Sequence, residues 1–406
     1  MFTSTAALTK DNVGSPVSSG LEEDLQTLAQ FLRQRSAPHG FVSLLLAGSL
    51  AQGEGSRLLT PTGPRLFNDI DLVLVTEHRV PPGMALAWER EATRLVAPDS
   101  PYDGDRLSPL GLHVDLAVLP RWRLRRLPCT LFNFDLQSAR VLAGDDVLPE
   151  MPRFRPDEIP AREALVLLGN RCLSLCESAG PPEAGTALWM YYHALKAVID
   201  AGAALMILSG RYCTSQRERL SLLEGVVRAH YPSLLARWPL FIEMAQGAVA
   251  ERQQLRPDVS WGEAVARWRE ARGVILQALR CSLARALGLS ERSPWAELSG
   301  GMHQWLTSFG ALAQGRHALR GAARWTALRL VRRPRWLLAQ AAVHAAAPHL
   351  LLAIEPGGES PPGCRGDLTM AGSYLSRLAK GPVPDRCDGD WRAIRDAAVD
   401  CWKRAV

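Results

Sequence analysis

The sequence predicts a mixed α/β (α+β) core, in which helices flank a mixed β-sheet, followed by an all-α helical domain. Short apolar runs rich in strand formers alternate with helix-patterned segments through residues 20–150. Beyond Pro149, long Ala- and Leu-rich segments replace them and show no strand-like alternation. With 406 residues, of which 47% are hydrophobic and 22% charged, the chain can bury a sizeable core.

Each element of the core has its own signal. Apolar residues at helical intervals from Leu21 to Leu32 predict a helix over 21–35, and "FVSLLLA" predicts a strand that ends at Gly48. Two further runs, "DIDLVLVT" and "LHVDLAVLP", predict strands at 69–76 and 112–120, and helix formers at 85–96 predict a helix between them. This succession predicts a compact α/β unit.

We divide the chain into a polar N-terminal lead (1–20), the α/β domain (21–150), a helical domain (157–290) and a basic helical C-terminal region (291–406) with a Pro/Gly linker near 355–366. The lead has no basic n-region before an apolar core, so we expect no secretory signal and a cytoplasmic location. The eight cysteines are scattered without zinc-like spacing, which favours packed thiols in a reducing compartment.

Three aspartates stand out within the predicted strands. Asp69 and Asp71 are two residues apart on one strand, so their side chains project from the same face while Ile70 and Leu72 point to the other. Two neighbouring carboxylates repel each other unless a cation lies between them, and Mg²⁺ prefers such oxygen ligands. Asp115 interrupts another apolar strand and could complete a two-metal site.

Gly48 and Ser49 directly follow the first predicted strand. Glycine permits close backbone approach, and serine is a favoured residue at the start of a helix. The free N–H groups of a new helix, together with the serine hydroxyl, can bind phosphate oxygens. The pair is therefore a predicted phosphate-binding element, although an isolated Gly-Ser after a strand is more often a plain turn.

In this order, the strand ending in Gly48-Ser49, the Asp69-x-Asp71 strand and the later Asp115 strand resemble the nucleotidyltransferase superfamily typified by DNA polymerase beta, in its small bacterial and aminoglycoside-type branch. "NDIDLVLV" matches the second block of that pattern, and the resemblance covers residues 40–150. It implies a nucleotidyltransferase core with Asp69, Asp71 and Asp115 as catalytic metal ligands and Gly48 and Ser49 as nucleotide-binding residues. The implied cofactor is Mg²⁺ in a two-metal arrangement, with Mn²⁺ as an alternative ion.

The chain departs from that pattern between Ser49 and Asp69, where it carries a longer segment than family members do. The excess lies in residues 54–67, whose Thr-Pro and Gly-Pro dipeptides predict an inserted loop that could influence acceptor choice. Gln52 also stands where many members have a basic residue. Phosphate binding would therefore depend on cations elsewhere in the chain.

The helical domain offers such cations. His193, Lys196 and Asp200 share one face of an apolar helix, with Lys196 as a candidate triphosphate ligand. The alternative is a solvated Lys196–Asp200 pair on an outer face. Tyr212 and Arg217, in the connection that follows, are further candidates for nucleotide contacts.

The positive charge is concentrated near the C-terminus. No acidic residue lies between Glu297 and Glu355, whereas seven arginines do, against a net charge of +6 for the whole chain. For residues 316–354, three alternatives stay open: a core helix with a basic outer face, peripheral contact with an anionic membrane, and a polyanion-binding surface.

The resemblance implies a Mg²⁺-dependent enzyme that transfers a nucleoside monophosphate from an NTP to a hydroxyl and releases pyrophosphate. A small-molecule acceptor is favoured, and protein or RNA acceptors stay open. The rival hypothesis is a non-catalytic nucleotide-binding or membrane-surface scaffold that retains the fold.

Overall fold

The computed structural model describes residues 19–61, 63–98, 112–182, 185–318, 335–356, 365–376 and 394–399. The described strands are β1 (Phe41–Leu46), β2 (Arg57–Thr60), β3 (Gly63–Leu66), β4 (Asp69–Thr76), β5 (His113–Pro120) and β6 (Arg140–Gly144). The described helices in the first half are α1 (Ser19–Ser36), α2 (Gly48–Ala51), α3 (Pro82–Val96), α4 (Arg121–Leu124), α5 (Leu131–Leu136), α6 (Ala161–Ser178) and α7 (Thr186–Leu208). The second half carries α8 (Gln216–His230), α9 (Pro232–Arg237), α10 (Phe241–Gln253), α11 (Trp261–Leu287), α12 (Trp295–Ala318), α13 (Arg335–Ala353) and α14 (Arg365–Ser376), and residues 394–399 are also helical.

These elements form two compact units. The sheet unit comprises the described residues of Met1–Leu46, Asn68–Trp122 and Arg140–Val147. The helical unit comprises those of Ala47–Phe67, Arg123–Ala139 and Leu148–Val406. The predicted domains are consecutive along the chain, whereas these units interleave, because two segments of the first 150 residues pack with the later helices.

The sheet unit is built on four strands in the order β5-β4-β1-β6. β4 and β5 run parallel, while β1 is antiparallel to both β4 and β6, so the sheet is mixed as the sequence predicts. On β4, Ile70, Leu72 and Leu74 are buried as predicted, while Val73 and Val75 on the opposite face are buried as well. Helix α1 buries its own apolar stripe of Leu25, Leu28 and Leu32.

Among the described strands, β5 lies at an edge of the sheet, so its backbone groups have a neighbouring strand on one side only. Helix α3 supplies the missing partners through its side chains. The Val114 N–H donates to Thr93 Oγ1 at 3.0 Å, and the Leu116 N–H donates to Glu89 Oε2 at 3.0 Å. The strand that carries Asp115 is therefore held from both sides.

The helical unit packs around α6, α7 and α11, whose inward faces form one apolar cluster. Helix α7 is long and apolar enough to cross a membrane by length and composition, but 83% of its apolar window is buried inside the protein. Cys172 and Cys176 on α6 are fully buried and free, as predicted for packed thiols, and burial raises the pKa of Cys176 to about 12.

The segment predicted as an inserted loop, 54–67, is not a loop. It forms a hairpin in which β2 and β3 pair antiparallel, from Arg57 with Leu66 to Thr60 with Gly63. The hairpin also belongs to the helical unit, because Leu59 N–H donates to the Leu255 carbonyl at 2.8 Å and Leu255 N–H donates to the Arg57 carbonyl at 2.8 Å. The Thr-Pro and Gly-Pro dipeptides indicate only local turns. They could not predict backbone pairing with Leu255, which lies far along the chain.

The basic C-terminal segment is described only in part. Residues 319–334, which contain five of its arginines, lie outside the described residues, as does the N-terminal lead up to residue 18 and most of the linker near 355–366. Residues 341–347 of α13 are buried, and the helix packs against α6, α12 and α14. This burial agrees with the core-helix alternative for that part, while membrane and polyanion binding stay predictions.

Candidate metal centre

Asp69, Asp71 and Asp115 of the sheet unit lie together. One carboxylate oxygen from each residue can be chosen so that all three oxygens lie within 4.8 Å of one another. Asp69 and Asp71 are half-buried, whereas the Asp115 side chain is 51% exposed. A ligand could therefore reach the cluster from the Asp115 side.

Strand register explains this proximity. β4 and β5 are parallel neighbours, and Asp71 lies directly opposite Asp115 while Asp69 lies opposite His113. Side chains at alternate positions share a face, so all four project from the same side of the sheet. The apolar residues between them, Ile70 and Val114, are fully buried on the other side.

Two neighbours of the cluster were not predicted. His113 is buried, and its Nε2 lies 3.6 Å from Asp115 Oδ1. Its position two residues before Asp115 on a strand was an available signal, because i and i+2 share a face. The Asn68 amide donates to Asp69 Oδ1, and Asn68 is the one described non-glycine residue with positive φ, at 80°.

The donor set fits a hard divalent cation. All three side chains offer carboxylate oxygens, which Mg²⁺ and Mn²⁺ prefer over nitrogen or sulfur. Oxygens bound to one octahedral Mg²⁺ lie about 3.0 to 4.2 Å apart, given bond lengths of about 2.1 Å. A separation of up to 4.8 Å therefore needs a small side-chain rotation for one ion, or a pair of ions that share the ligands.

The predicted phosphate-binding pair has the expected local structure. Gly48 follows β1 with φ at 66°, a conformation that favours glycine, and begins the single turn of α2. The Ser49 carbonyl accepts from the Glu54 N–H at 2.8 Å, which closes the turn. Gln52 donates to the Ser138 carbonyl at 2.9 Å. Phosphate binding by Gly48 and Ser49 stays a prediction.

On the polar face predicted on α7, the solvated Lys196–Asp200 pair is not found. Asp200 forms an ion pair with Arg171 of α6, at 2.7 Å between Oδ2 and Nε, rather than facing solvent. His193 is buried, with its ring 4.0 Å from that of Trp189. Lys196 lies over the Tyr192 ring, with Nζ 5.9 Å from the centroid. A triphosphate contact of Lys196 stays a prediction.

Tyr212 and Arg217 also lie in the helical unit. Tyr212 is buried, and its hydroxyl contacts both Asp135 carboxylate oxygens at 3.1 Å and accepts from Arg219 Nη1 at 2.9 Å. Burial raises the pKa of Asp135 to about 6, although Arg219 and Tyr212 act in the opposite direction. Arg217 is exposed on the first turn of α8. Nucleotide binding by either residue stays a prediction.

A second polar constellation in the helical unit has the distances of a Ser-His-Asp triad. His349 Nε2 lies 3.0 Å from Ser299 Oγ, and His349 Nδ1 lies 2.8 Å from Asp367 Oδ1. However, Ser299 is 0% exposed and donates its single hydroxyl proton to the Trp295 carbonyl at 2.7 Å. Because the serine hydroxyl is buried and its proton bonds a carbonyl of its own helix, we interpret the group as a cross-link between α12, α13 and α14.

Comparisons of the chain with protein-family models, with curated proteins and with solved structures gave no match. The family resemblance of the Gly48, Asp69, Asp71 and Asp115 motifs therefore stays a prediction. The carboxylate cluster is the structural ground on which a function can be proposed.

Proposed function

We propose that the chain is a metal-dependent nucleotidyltransferase that transfers a nucleoside monophosphate from an NTP to a hydroxyl of a small molecule and releases pyrophosphate. The observation that supports this proposal is the arrangement of three carboxylates on two parallel strands, with one oxygen from each within 4.8 Å of the others. The strand-Gly-Ser-helix turn at Gly48 supports it further. The finer fold assignment, a polymerase-beta-like core, belongs to the same proposal.

The roles follow from exposure and position. Asp69 and Asp71 are the more buried carboxylates and would hold Mg²⁺, with Mn²⁺ as the alternative ion. Bound Mg²⁺ would neutralise triphosphate charge and favour ionisation of the acceptor hydroxyl. Asp115, the most exposed carboxylate, would complete the ligand set and accept a hydrogen bond from that hydroxyl.

The bond changes are those of a single displacement. The acceptor oxygen forms a bond to the α-phosphorus, the α–β phosphoanhydride bond breaks, and pyrophosphate leaves with the electron pair. The acceptor proton passes to the Asp115 carboxylate or to water. Gly48 and Ser49 would bind the departing phosphates through backbone N–H groups and the serine hydroxyl.

Metal binding is tested first, by thermal unfolding of the wild type and of Asp71→Asn. Without metal, neutralising one carboxylate relieves like-charge repulsion, so Asp71→Asn should be at least as stable as the wild type, with a gain of about 1 kcal/mol at low salt. With Mg²⁺ or Mn²⁺ in excess, the wild type should gain stability and the variant should not. Glu23→Gln, which changes an exposed carboxylate on α1, is the matched control.

Transfer is tested by measuring pyrophosphate release from each of the four NTPs. In parallel, α-labelled nucleotides show whether label is transferred to an acceptor, with small hydroxylated molecules, proteins and RNA offered as separate panels. We expect Mg²⁺-dependent release and labelling of an acceptor, and a loss of about a thousandfold in Asp69→Asn. Near-normal turnover in Asp69→Asn contradicts the assignment. A nucleotide-induced thermal shift that is independent of metal, without turnover, supports the scaffold alternative.

A further inference from the structure

A second feature of the helical unit points to ligand binding. A cavity of about 760 Å³ opens between α9, α11, the connection from α11 to α12, and α13. We call it the arginine cavity, because its lining includes Arg237, Arg280 and Arg292 together with Trp238 and Trp295. Its volume is in the range of small-molecule sites, and it contains none of the aspartates of the metal centre.

The arginines of this cavity form no ion pair within the described residues. Across the described ranges, no carboxylate forms an ion pair with Arg237, Arg280 or Arg292. The one acidic side chain of the lining, Glu291, accepts from the Cys281 thiol, at 3.4 Å between Oε2 and Sγ. Its attraction for Arg280 is weaker than the repulsion from Arg237. The lining therefore carries an excess of positive charge.

Arg280 is fixed in place through one nitrogen of its guanidinium, and its other nitrogens have no hydrogen-bond acceptor among the residues that the structure describes. Its Nη1 donates to the carbonyls of Glu291 and Ser293, at 2.9 and 2.7 Å. Burial, and then the like charge of Arg237, lower the pKa of Arg280. A bound anion would relieve this repulsion and accept from the remaining N–H groups, which are arranged for bidentate contacts with carboxylate or phosphate.

The remaining wall is aromatic and apolar. Arg280 Cζ lies 4.4 Å from the centroid of the Trp295 ring, and Leu276 and Leu352 complete the apolar surface. Trp238 packs so closely on α11 that a Cβ at Gly273 would lie 2.1 Å from its Cζ2. The buried indole N–H of Trp238 has no acceptor in the part of the chain that the structure describes.

We propose that the arginine cavity binds a small molecule with one anionic group and an aromatic or otherwise apolar body. The guanidinium groups of Arg237, Arg280 and Arg292 hold the anion, and the body lies between Trp238 and Trp295. A free inorganic anion would use only the charged half of this lining, and a neutral apolar molecule only the other half. The site is independent of the proposed transferase chemistry.

The test is isothermal titration calorimetry with 1-naphthyl phosphate, 1-naphthylacetate, the neutral amide 1-naphthylacetamide and inorganic phosphate. We expect both charged naphthyl probes to bind at least about tenfold more tightly than the amide, and inorganic phosphate to bind more weakly than naphthyl phosphate. The tighter of the two charged probes identifies the head group as phosphate or carboxylate.

Variants locate the binding. Arg237→Gln combined with Arg292→Gln removes two exposed rim charges and should weaken the charged probes at least about tenfold. Arg211→Gln combined with Arg228→Gln removes two exposed charges elsewhere in the same unit and should leave affinity unchanged. Ala236→Trp fills the rim and should abolish binding, with folding checked by thermal unfolding.

Three outcomes overturn the proposal. They are equal affinity for naphthylacetate and its amide, unchanged affinity in the Arg237→Gln, Arg292→Gln variant, and failure of both charged probes to bind the folded wild type at millimolar concentration. Because no residue of the metal centre is altered, a failure here leaves the transferase proposal intact, and the reverse also holds.

Discussion

Asn68 is the residue at which local strain coincides with the candidate metal centre. It has φ at 80°, and its carbonyl accepts from the His113 N–H at 3.1 Å, which continues the pairing of β4 with β5 by one residue. Its amide donates to Asp69. Asparagine tolerates this conformation better than other side chains do, because its short polar group bonds locally.

Two substitutions at Asn68 separate backbone from side-chain effects. Asn68→Gly keeps the left-handed conformation without strain, so we expect unfolding free energy within about 0.5 kcal/mol of the wild type, whereas Asn68→Ala should lose about 1 kcal/mol more. Both remove the amide donor from Asp69 and should alter the Mn²⁺-induced thermal shift alike. If Asn68→Gly and Asn68→Ala are equally stable, the backbone at position 68 is not strained.

At the scale of elements, the hairpin β2–β3 is tied to the helical unit by one buried carboxylate. Glu54 is 6% exposed, and it accepts from the Gln216 N–H at 2.7 Å, the Arg217 N–H at 3.2 Å and the Ser215 hydroxyl at 2.8 Å. The two N–H groups are free backbone donors at the beginning of α8, where the helix dipole also favours negative charge. The inserted segment is therefore an anchored element of the fold.

We predict that Glu54→Gln lowers the free energy of unfolding by about 1 to 3 kcal/mol, because the amide places a donor against the N–H groups that the carboxylate accepts from. Denaturant unfolding measures the change. Glu218→Gln, an exposed carboxylate on the first turn of the same helix, should change stability by only a few tenths of a kcal/mol. If both variants lose a similar free energy of unfolding, the negative charge near the helix, and not the buried contact of Glu54 with the N–H groups, accounts for the stabilisation.

At the scale of the whole molecule, buried titratable groups set the response to pH. His344 of α13 is fully buried against Gly169 and bonds Asn170, at 2.8 Å between Nε2 and Oδ1. Burial, and then the positive charge of Arg162, lower the pKa of His344 from 6.5 to about 3. Its contribution to stability is full above pH 6.5 and is lost as the pH falls toward 3, because only the unfolded chain takes up the proton.

Asp135 has the opposite effect on the pH dependence of stability. Burial raises the pKa of Asp135 from 3.8 to about 6, so between these values the folded protein binds the proton more tightly than the unfolded chain. The contribution of Asp135 is full below pH 3.8 and is lost as the pH rises through 6. Between pH 4 and 6 the two groups partly offset each other.

Thermal unfolding from pH 7.5 to 4 tests this balance. His344→Gln removes a group that disfavours folding in acid, so the variant should lose less stability than the wild type on acidification. Asp135→Asn removes the offsetting group and should lose more, with slopes differing by up to about 1.4 kcal/mol per pH unit for each site. If stability falls with pH in the same way in the wild type and in both variants, neither side chain titrates as its burial requires.

Local patterning determined much of this protein. Alternation in "DIDLVLVT" and "LHVDLAVLP" predicts strands that the structure confirms as β4 and β5, with Asp69, Asp71 and Asp115 opposite a buried apolar face. The mixed sheet and the later helices were predicted from the same kind of signal. These features depend on period and propensity, which are properties of contiguous residues.

Other features required the tertiary structure. The parallel register that places Asp71 opposite Asp115, the pairing of the 54–67 segment with Leu255, and the Arg171–Asp200 ion pair each join residues far apart in the chain. The arginine cavity likewise gathers residues from four separate elements. The sequence by itself determined strands β1, β4 and β5, the long helices and the carboxylate face, since these depend on neighbours in the chain. Only the tertiary structure decided which residues pair and which are buried. Both depend on which segments, distant in the chain, pack against each other and exclude water.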